Sequence, residues 1–107
     1  MASPAAPVRA PKRETKERVE EETRIPPPWR VILHNDDVTT QDFVVWLLRT
    51  LFAKPETEAR RLMLLVHHTG LATVAVCGQE RAELYVEQVR SLARPRGFPL
   101  AATAEPT

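Results

Sequence analysis

The stretch His34-Asn35-Asp36-Asp37-Val38-Thr39 lies between a short apolar run, Val31-Ile32-Leu33, and a longer apolar segment that begins at Phe43. A turn that only reverses the chain is more simply built from Gly or Asn-Gly. Here an amide and two carboxylates crowd beside hydrophobic surface, a combination suited to holding a cation next to an apolar group. Upstream, Trp29, Val31 and Leu33 alternate with Arg30, Ile32 and His34, so a strand with one apolar face should end at this knot. Downstream, Thr39 followed by Asp42 has the form of a capping box with Asp in the Glu position. The helix it opens carries Phe43, Leu47 and Leu51 on one stripe and should run to about Ala53.

Further along the chain the hydrophobic period changes several times. Lys54-Pro55 breaks the first helix, and Pro55 can serve as the first residue of a second one, whose opening turn holds Glu56 and Glu58, favourably placed for the helix dipole. Ala59, Leu62, Met63, Val66 and His67 fall on one side of it, and Gly70 is a natural terminator because it can take the left-handed conformation. Leu71 to Val76 form a β-rich run. Gly78 and Gln79 introduce a third helix with Ala82, Tyr85, Val86, Val89, Leu92 and Ala93 repeating at helical spacing; Arg94 suits its carboxyl end, and Pro95 and Gly97 stop it. Phe98 to Thr103 complete the pattern as a last strand, and Thr103 to Thr107 read as a frayed end. The order is β-α-α-β-α-β, an α+β fold in which a small three-stranded antiparallel sheet with three helices on one face buries all the apolar stripes.

The 107 residues have room for one domain, and a hydrophobic content of 43% supports an ordinary core. Residues 1–26 read as a disordered extension ahead of a core over 27–105: up to Arg24 only Val8 and Val19 are sizeable apolar residues, too few to offset the entropy of ordering. A formal charge of +1 from nearly balanced acids and bases provides no basic stripe to follow phosphates, so nucleic acid is not favoured. Cys77 stands alone, which excludes an intramolecular disulfide or a Cys-rich zinc site and fits a reducing compartment. With no apolar run long enough to span a bilayer and no hydrophobic signal core, a cytoplasmic protein is the expectation.

Asn35, Asp36 and Asp37 precede a helix, so their side chains can bond local backbone amides and build the turn. They can equally receive an ammonium group, the carboxylate attracting it and the Asn carbonyl accepting another of its hydrogens; the two uses are compatible. Acid/base or Mg²⁺ chemistry lacks a nucleophile, a phosphate loop and a second acidic cluster. His67 and His68 cannot easily share one metal ion, because adjacent helix positions point about 100° apart. His67 shares a face with Met63 and reads as a packed residue, while His68 reads as solvated. Met63 and Val66 read as core, and Cys77 as a small apolar filler.

Taken together, Val31 to Thr39, Asp42-Phe43-Val44, Ala59 to Met63 with Val66-His67 and Gly70, then Glu80, Ala82-Glu83 and Val86, and lastly Pro99-Leu100, resemble the ClpS family, the adaptors of bacterial Clp proteolysis. The resemblance implies a non-enzymatic, cofactor-free adaptor. It would recognise proteins whose first residue is a bulky hydrophobe (Leu, Phe, Tyr or Trp) and deliver them, as a monomer, to the N-terminal domain of a Clp ATPase for degradation. By the same resemblance Asn35, Asp37 and His67 hold the free α-amino group, with Asp36 shaping or supplementing that site. Leu33, Thr39, Met63, Val66 and Leu100 line the side-chain pocket, Glu80 lies on the surface that meets the ATPase, and the amino-terminal extension helps commit the substrate.

The chain departs from the family pattern in places. Thr40-Gln41 stands where most relatives have Pro-Met, and that Met guards the pocket mouth; Gln41 is as long but polar, which implies a shifted preference among first residues. Tyr85 occupies a position that is often basic at the ATPase interface. An alternative of a different class is a scaffold that binds a folded partner without reading its amino terminus.

Overall fold

The computed structural model describes residues 25–107, so the amino-terminal extension expected over residues 1–26 lies, up to Arg24, outside the described residues. Among the described residues the elements follow in the order β1 (Trp29–His34), α1 (Gln41–Thr50), α2 (Glu56–Thr69), β2 (Leu71–Cys77), α3 (Gln79–Ala93) and β3 (Ala101–Pro106). β1 is the centre of an antiparallel sheet of order β2-β1-β3. α3 packs across all three strands, α2 covers β2, and α1 stacks on α2. The fold is therefore α+β with its helices on one face of the sheet.

The alternation in β1 directs Val31 and Leu33 into the core, where both are fully buried, and turns Arg30 and His34 to the open face. There His34 Nε2 meets Thr103 Oγ1 at 2.8 Å and Arg30 pairs with Glu105 at 3.4 Å. In β2 the inward phase slips: Ala72 and Val74 are buried, but beyond them Ala75 and Cys77 turn to the core. A register shift between Val31 and Ile32 explains this, because Ile32 opposes Thr73 and Val31 opposes Ala75, leaving Val74 as the extra residue. The core joins these strand residues to Phe43, Leu47, Leu48, Leu62, Met63, Val66, Val89 and Leu100. Burial of each large apolar side chain contributes about 1.5–3 kcal/mol.

The boundaries differ from the sequence reading in four places, each for a local reason. α1 is capped by Thr40, whose hydroxyl accepts from the Phe43 N–H at 3.2 Å; the Thr39 hydroxyl is already committed to Asp36. α1 also stops at Thr50 rather than near Ala53, because the residue before Pro55 must be extended. Ala53 absorbs the reversal with a φ of 55°, and the Lys54 N–H closes onto the Leu48 carbonyl at 3.0 Å. Pro55 is the N-cap of α2 rather than its first residue. The last strand runs over Ala101–Pro106, not Phe98 to Thr103, and its end is not frayed: the Thr107 N–H donates to the Pro28 carbonyl at 2.9 Å. Gly70, at φ 95°, ends α2 as the sequence indicates.

Candidate functional site

The knot leaves β1 at His34 and is tied at once to α2: the Asn35 N–H donates to the Gly70 carbonyl at 2.8 Å. Gly70 can offer that carbonyl because its left-handed conformation turns the chain back after the helix. Asn35 is thereby tied to the carboxyl end of α2, whose last turn carries His67 and where the helix dipole is negative and a cation is favoured.

Asp36 is consumed by the turn. Its Oδ1 accepts from the N–H groups of Val38 at 2.8 Å and Thr39 at 2.7 Å, and its Oδ2 accepts the Thr39 hydroxyl at 2.7 Å. Partial burial pushes its carboxyl up, but the hydrogen bonds from Thr39 and Val38, with the field of Arg94, outweigh that, and its pKa lies below the ordinary 3.8. Asn35 and Asp37 are exposed, and among the described residues neither side chain is engaged in a hydrogen bond. Of the two carboxylates, one is the keystone of the turn and the other remains available.

The remaining residues separate by depth. Leu33, Val66 and Leu100 keep 0, 2 and 1% of their surface and Met63 keeps 7%, so they form a continuous apolar mass. Thr39 is half-buried and Gln41, the first residue of α1, is exposed; these two offer the accessible surface. His67 is exposed, contrary to the packed residue its position beside Met63 suggested. Its ring stands edge-on to that of His68, with centroids 5.1 Å apart. No group of three His, Cys, Asp or Glu side chains able to hold a metal ion is found among the described residues.

Glu80 and Tyr85 belong to a different place. β1 runs from Trp29, opposite Cys77, to His34, opposite Leu71. α3 begins just after Cys77, so Glu80 lies at the far end of the sheet from the knot, about 17 Å away along the strand. Glu80 is exposed, whereas the Tyr85 ring is half-buried against Phe52 at 4.6 Å, with the Arg81 guanidinium 5.5 Å from its centroid. Exposed Leu84 lines two shallow grooves beside them.

Two features escaped the sequence reading. Arg94, taken only as a helix-end cation, donates from Nη1 to the carbonyls of Phe98 at 2.9 Å and Leu100 at 3.0 Å. An aromatic cluster joins Phe43 to Phe98 at 5.0 Å and to Trp46 at 5.6 Å, with the Arg96 guanidinium over Phe43 and Trp46 at 5.2 and 4.8 Å. The only signal for either was the pattern Arg94-Pro95-Arg96-Gly97-Phe98-Pro99-Leu100, in which two prolines and a glycine bracket a segment that cannot continue a helix.

Comparison with known proteins agrees with this arrangement. Residues 24–103 match the family model described as ATP-dependent Clp protease adaptor protein ClpS. The ATP-dependent Clp protease adapter protein ClpS of Desulforapulum autotrophicum is 44% identical over 94 residues, 88% of this chain and 90% of its own. That of Deinococcus radiodurans is 43% identical over 103 residues, 96% of this chain and 89% of its own. The structure of Agrobacterium tumefaciens ClpS2 bound to L-phenylalaninamide superposes with a TM-score of 0.75 at 37% identity, covering 78% of this chain and 100% of that one. Fold, motif positions and similarity across nearly the whole sequence agree, and the chain belongs to the ClpS family of ATP-dependent Clp protease adaptors, proteins that serve proteolysis without being enzymes.

Proposed function

We propose that this adaptor reads the first residue of its substrates, accepting a free α-amino group followed by a bulky hydrophobic side chain (Leu, Phe, Tyr or Trp), and delivers them to the N-terminal domain of a Clp ATPase. The observation that carries this reading is the division of labour in the knot: Asp36 is spent on the turn, while the side chains of Asn35 and Asp37 stay open and the Asn35 backbone is tied to the negative end of α2, whose last turn carries His67. Agrobacterium tumefaciens ClpS2 bound to L-phenylalaninamide lends support, since that ligand joins a free amine to an aromatic side chain.

Asn35, Asp37 and the imidazole of His67 accept the three ammonium hydrogens, and Asp36 keeps the acceptors in place. Such charged hydrogen bonds contribute about 1.5–3 kcal/mol each. An α-amino group with a pKa of about 8 is mostly protonated at neutral pH, which selects it over the uncharged amide of an interior residue. The first side chain enters past Gln41 and Thr39, meets Met63, and rests against the mass formed by Leu33, Val66 and Leu100. Burying it adds about 1.5–3 kcal/mol, so amine and side chain are both required. A wall of buried residues has little slack, which excludes β-branched first residues.

Glu80 and the groove around Leu84 and Tyr85 supply the contact to the ATPase, at the opposite end of the sheet from the substrate. The amino-terminal extension, residues 1–26, aids commitment of the substrate, and the adaptor works as a cytoplasmic monomer. Fluorescence anisotropy with Phe- and Leu-initiated peptides, free and acetylated at the amino terminus, tests the central claim. Binding only of the free forms is the expected result; equal binding of acetylated peptides would point instead to a scaffold that ignores amino termini.

A further inference from the structure

We propose that Arg94 is a positioning residue for the side-chain pocket: by clamping the two carbonyls that flank Pro99 it fixes Leu100 beside the knot. This rests on the reading of Leu100 as part of the wall that meets a substrate's first side chain.

The chain has a problem to solve between α3 and β3. Pro95 allows only a single 3-10 turn, Arg94–Arg96, after the helix, and Gly97 reverses the chain at φ 77°. The Phe98 N–H is satisfied by the Ala93 carbonyl at 3.1 Å, but Pro99 has no N–H, and β3 does not join the sheet until Ala101. The segment carrying Leu100 therefore cannot be held by ladder hydrogen bonds. Arg94 replaces them. One guanidinium nitrogen directs its two hydrogens to the carbonyls of Phe98 and Leu100, at 2.9 and 3.0 Å. A planar, permanently charged group suits that geometry, and bonds with a charged donor are stronger than the backbone bonds they replace.

The clamp reaches both walls of the pocket. On one side it fixes Leu100, which is 1% exposed and belongs to the core. It also fixes the Phe98 ring against Phe43, in the first turn of α1 that begins with Gln41. On the other side α3, about 22 Å long, returns its carboxyl end to the knot, and the positive charge of Arg94 acts on Asp36, the keystone of that turn. Loss of the clamp lets the Leu100 wall shift relative to the knot. The amine contacts survive, while the fit to the side chain changes, so Arg94 sets selectivity among first residues more than the requirement for a free amino terminus.

The test compares wild type with Arg94→Met, which keeps most of the stem but no donor or charge, and Arg94→Lys, which keeps the charge. Each is titrated with free and acetylated peptides starting with Phe, Leu and Trp. Arg94→Met is expected to weaken the best free peptide about tenfold and to change the Phe-to-Leu affinity ratio by about threefold or more, with acetylated peptides still excluded. Arg94→Lys should restore most of the ratio. In Arg94→Met, NMR amide signals of Val38, Thr39 and Ala101 should move together. Unchanged ratios in a folded Arg94→Met overturn the proposal, as does an equal loss for all three peptides that Arg94→Lys does not relieve. If Arg94→Met melts below the assay temperature, Arg94→Gln is held to the same criterion. A wild type that fails to discriminate free from acetylated peptides overturns the proposed function and this inference together; a discriminating wild type with unaltered variants overturns the inference alone.

Discussion

Replacing the two knot carboxylates one at a time separates building the site from binding at it. Asp36 accepts three hydrogen bonds of 2.7 to 2.8 Å, two from backbone N–H groups and one from Thr39. Its surroundings are only partly buried, so the loss on truncation should resemble that of a strong helix cap, about 2 kcal/mol for Asp36→Ala and about 1 kcal/mol for Asp36→Asn, which keeps one acceptor oxygen. For a domain of this size those values lower Tm by about 8–16 °C and about 4–8 °C. Asp37 is exposed and engaged in no such bond among the described residues, so Asp37→Asn should change stability by no more than about 0.5 kcal/mol. Asp37→Asn should nonetheless weaken a Phe-initiated peptide by about 5- to 12-fold, because the amide oxygen still accepts from the ammonium but the charge that strengthens the bond, about 1–1.5 kcal/mol, is lost. Thermal melts by circular dichroism and peptide anisotropy on the same samples give both quantities. The reasoning is refuted if Asp37→Asn melts as early as Asp36→Ala, or if it binds the peptide as tightly as wild type.

The depressed pKa of Asp36 gives a pH signature of known sign: a carboxyl held below its unfolded value of about 3.8 contributes stability above that pH and loses it as the pH falls through the folded value. Between about pH 5 and 2.5 the Tm of wild type should therefore fall more steeply than that of Asp36→Asn, and parallel curves would remove this role. Ala53→Gly should stabilise the fold by about 0.5–1 kcal/mol, read as a higher Tm, because Ala53 occupies the left-handed region at φ 55°. Gln41→Met should raise the affinity of the most apolar first residues relative to Tyr, since it removes a polar group from the mouth of the pocket; an unchanged ranking across Leu, Phe, Tyr and Trp peptides argues against a specificity role for Gln41.

The apolar stripes made the element order and the inward faces of β1, α2 and α3 readable, because periodicity records which side of an element loses water. Gly70 was readable for a similar reason: few residues other than Gly adopt its backbone conformation cheaply. β3 was misplaced because Ala101, Ala102 and Ala104 give almost no hydrophobic signal, and an edge strand is defined by the backbone partners that β1 presents. Phe98, by contrast, looked like a strand residue but is spent on packing against Phe43. His67 is exposed although it shares the helical spacing of Met63, because spacing alone does not say how much of a stripe the neighbouring elements cover.

The site shows the same division. The presence of Asn35, Asp36, Asp37, His67, Met63 and Leu100 was a property of the sequence, since residue type determines which groups can accept from an ammonium or border an apolar side chain. Which carboxylate builds the turn and which is left free depended on where the N–H groups of Val38 and Thr39 fall once the chain bends. The attachment of Asn35 to the end of α2 that carries His67 depended on one hydrogen bond to Gly70, far away in sequence. The part of Arg94 emerged only when α3 brought its last turn back to the knot. Local chemistry is written residue by residue, whereas the pairing of distant groups follows from packing that no single segment encodes.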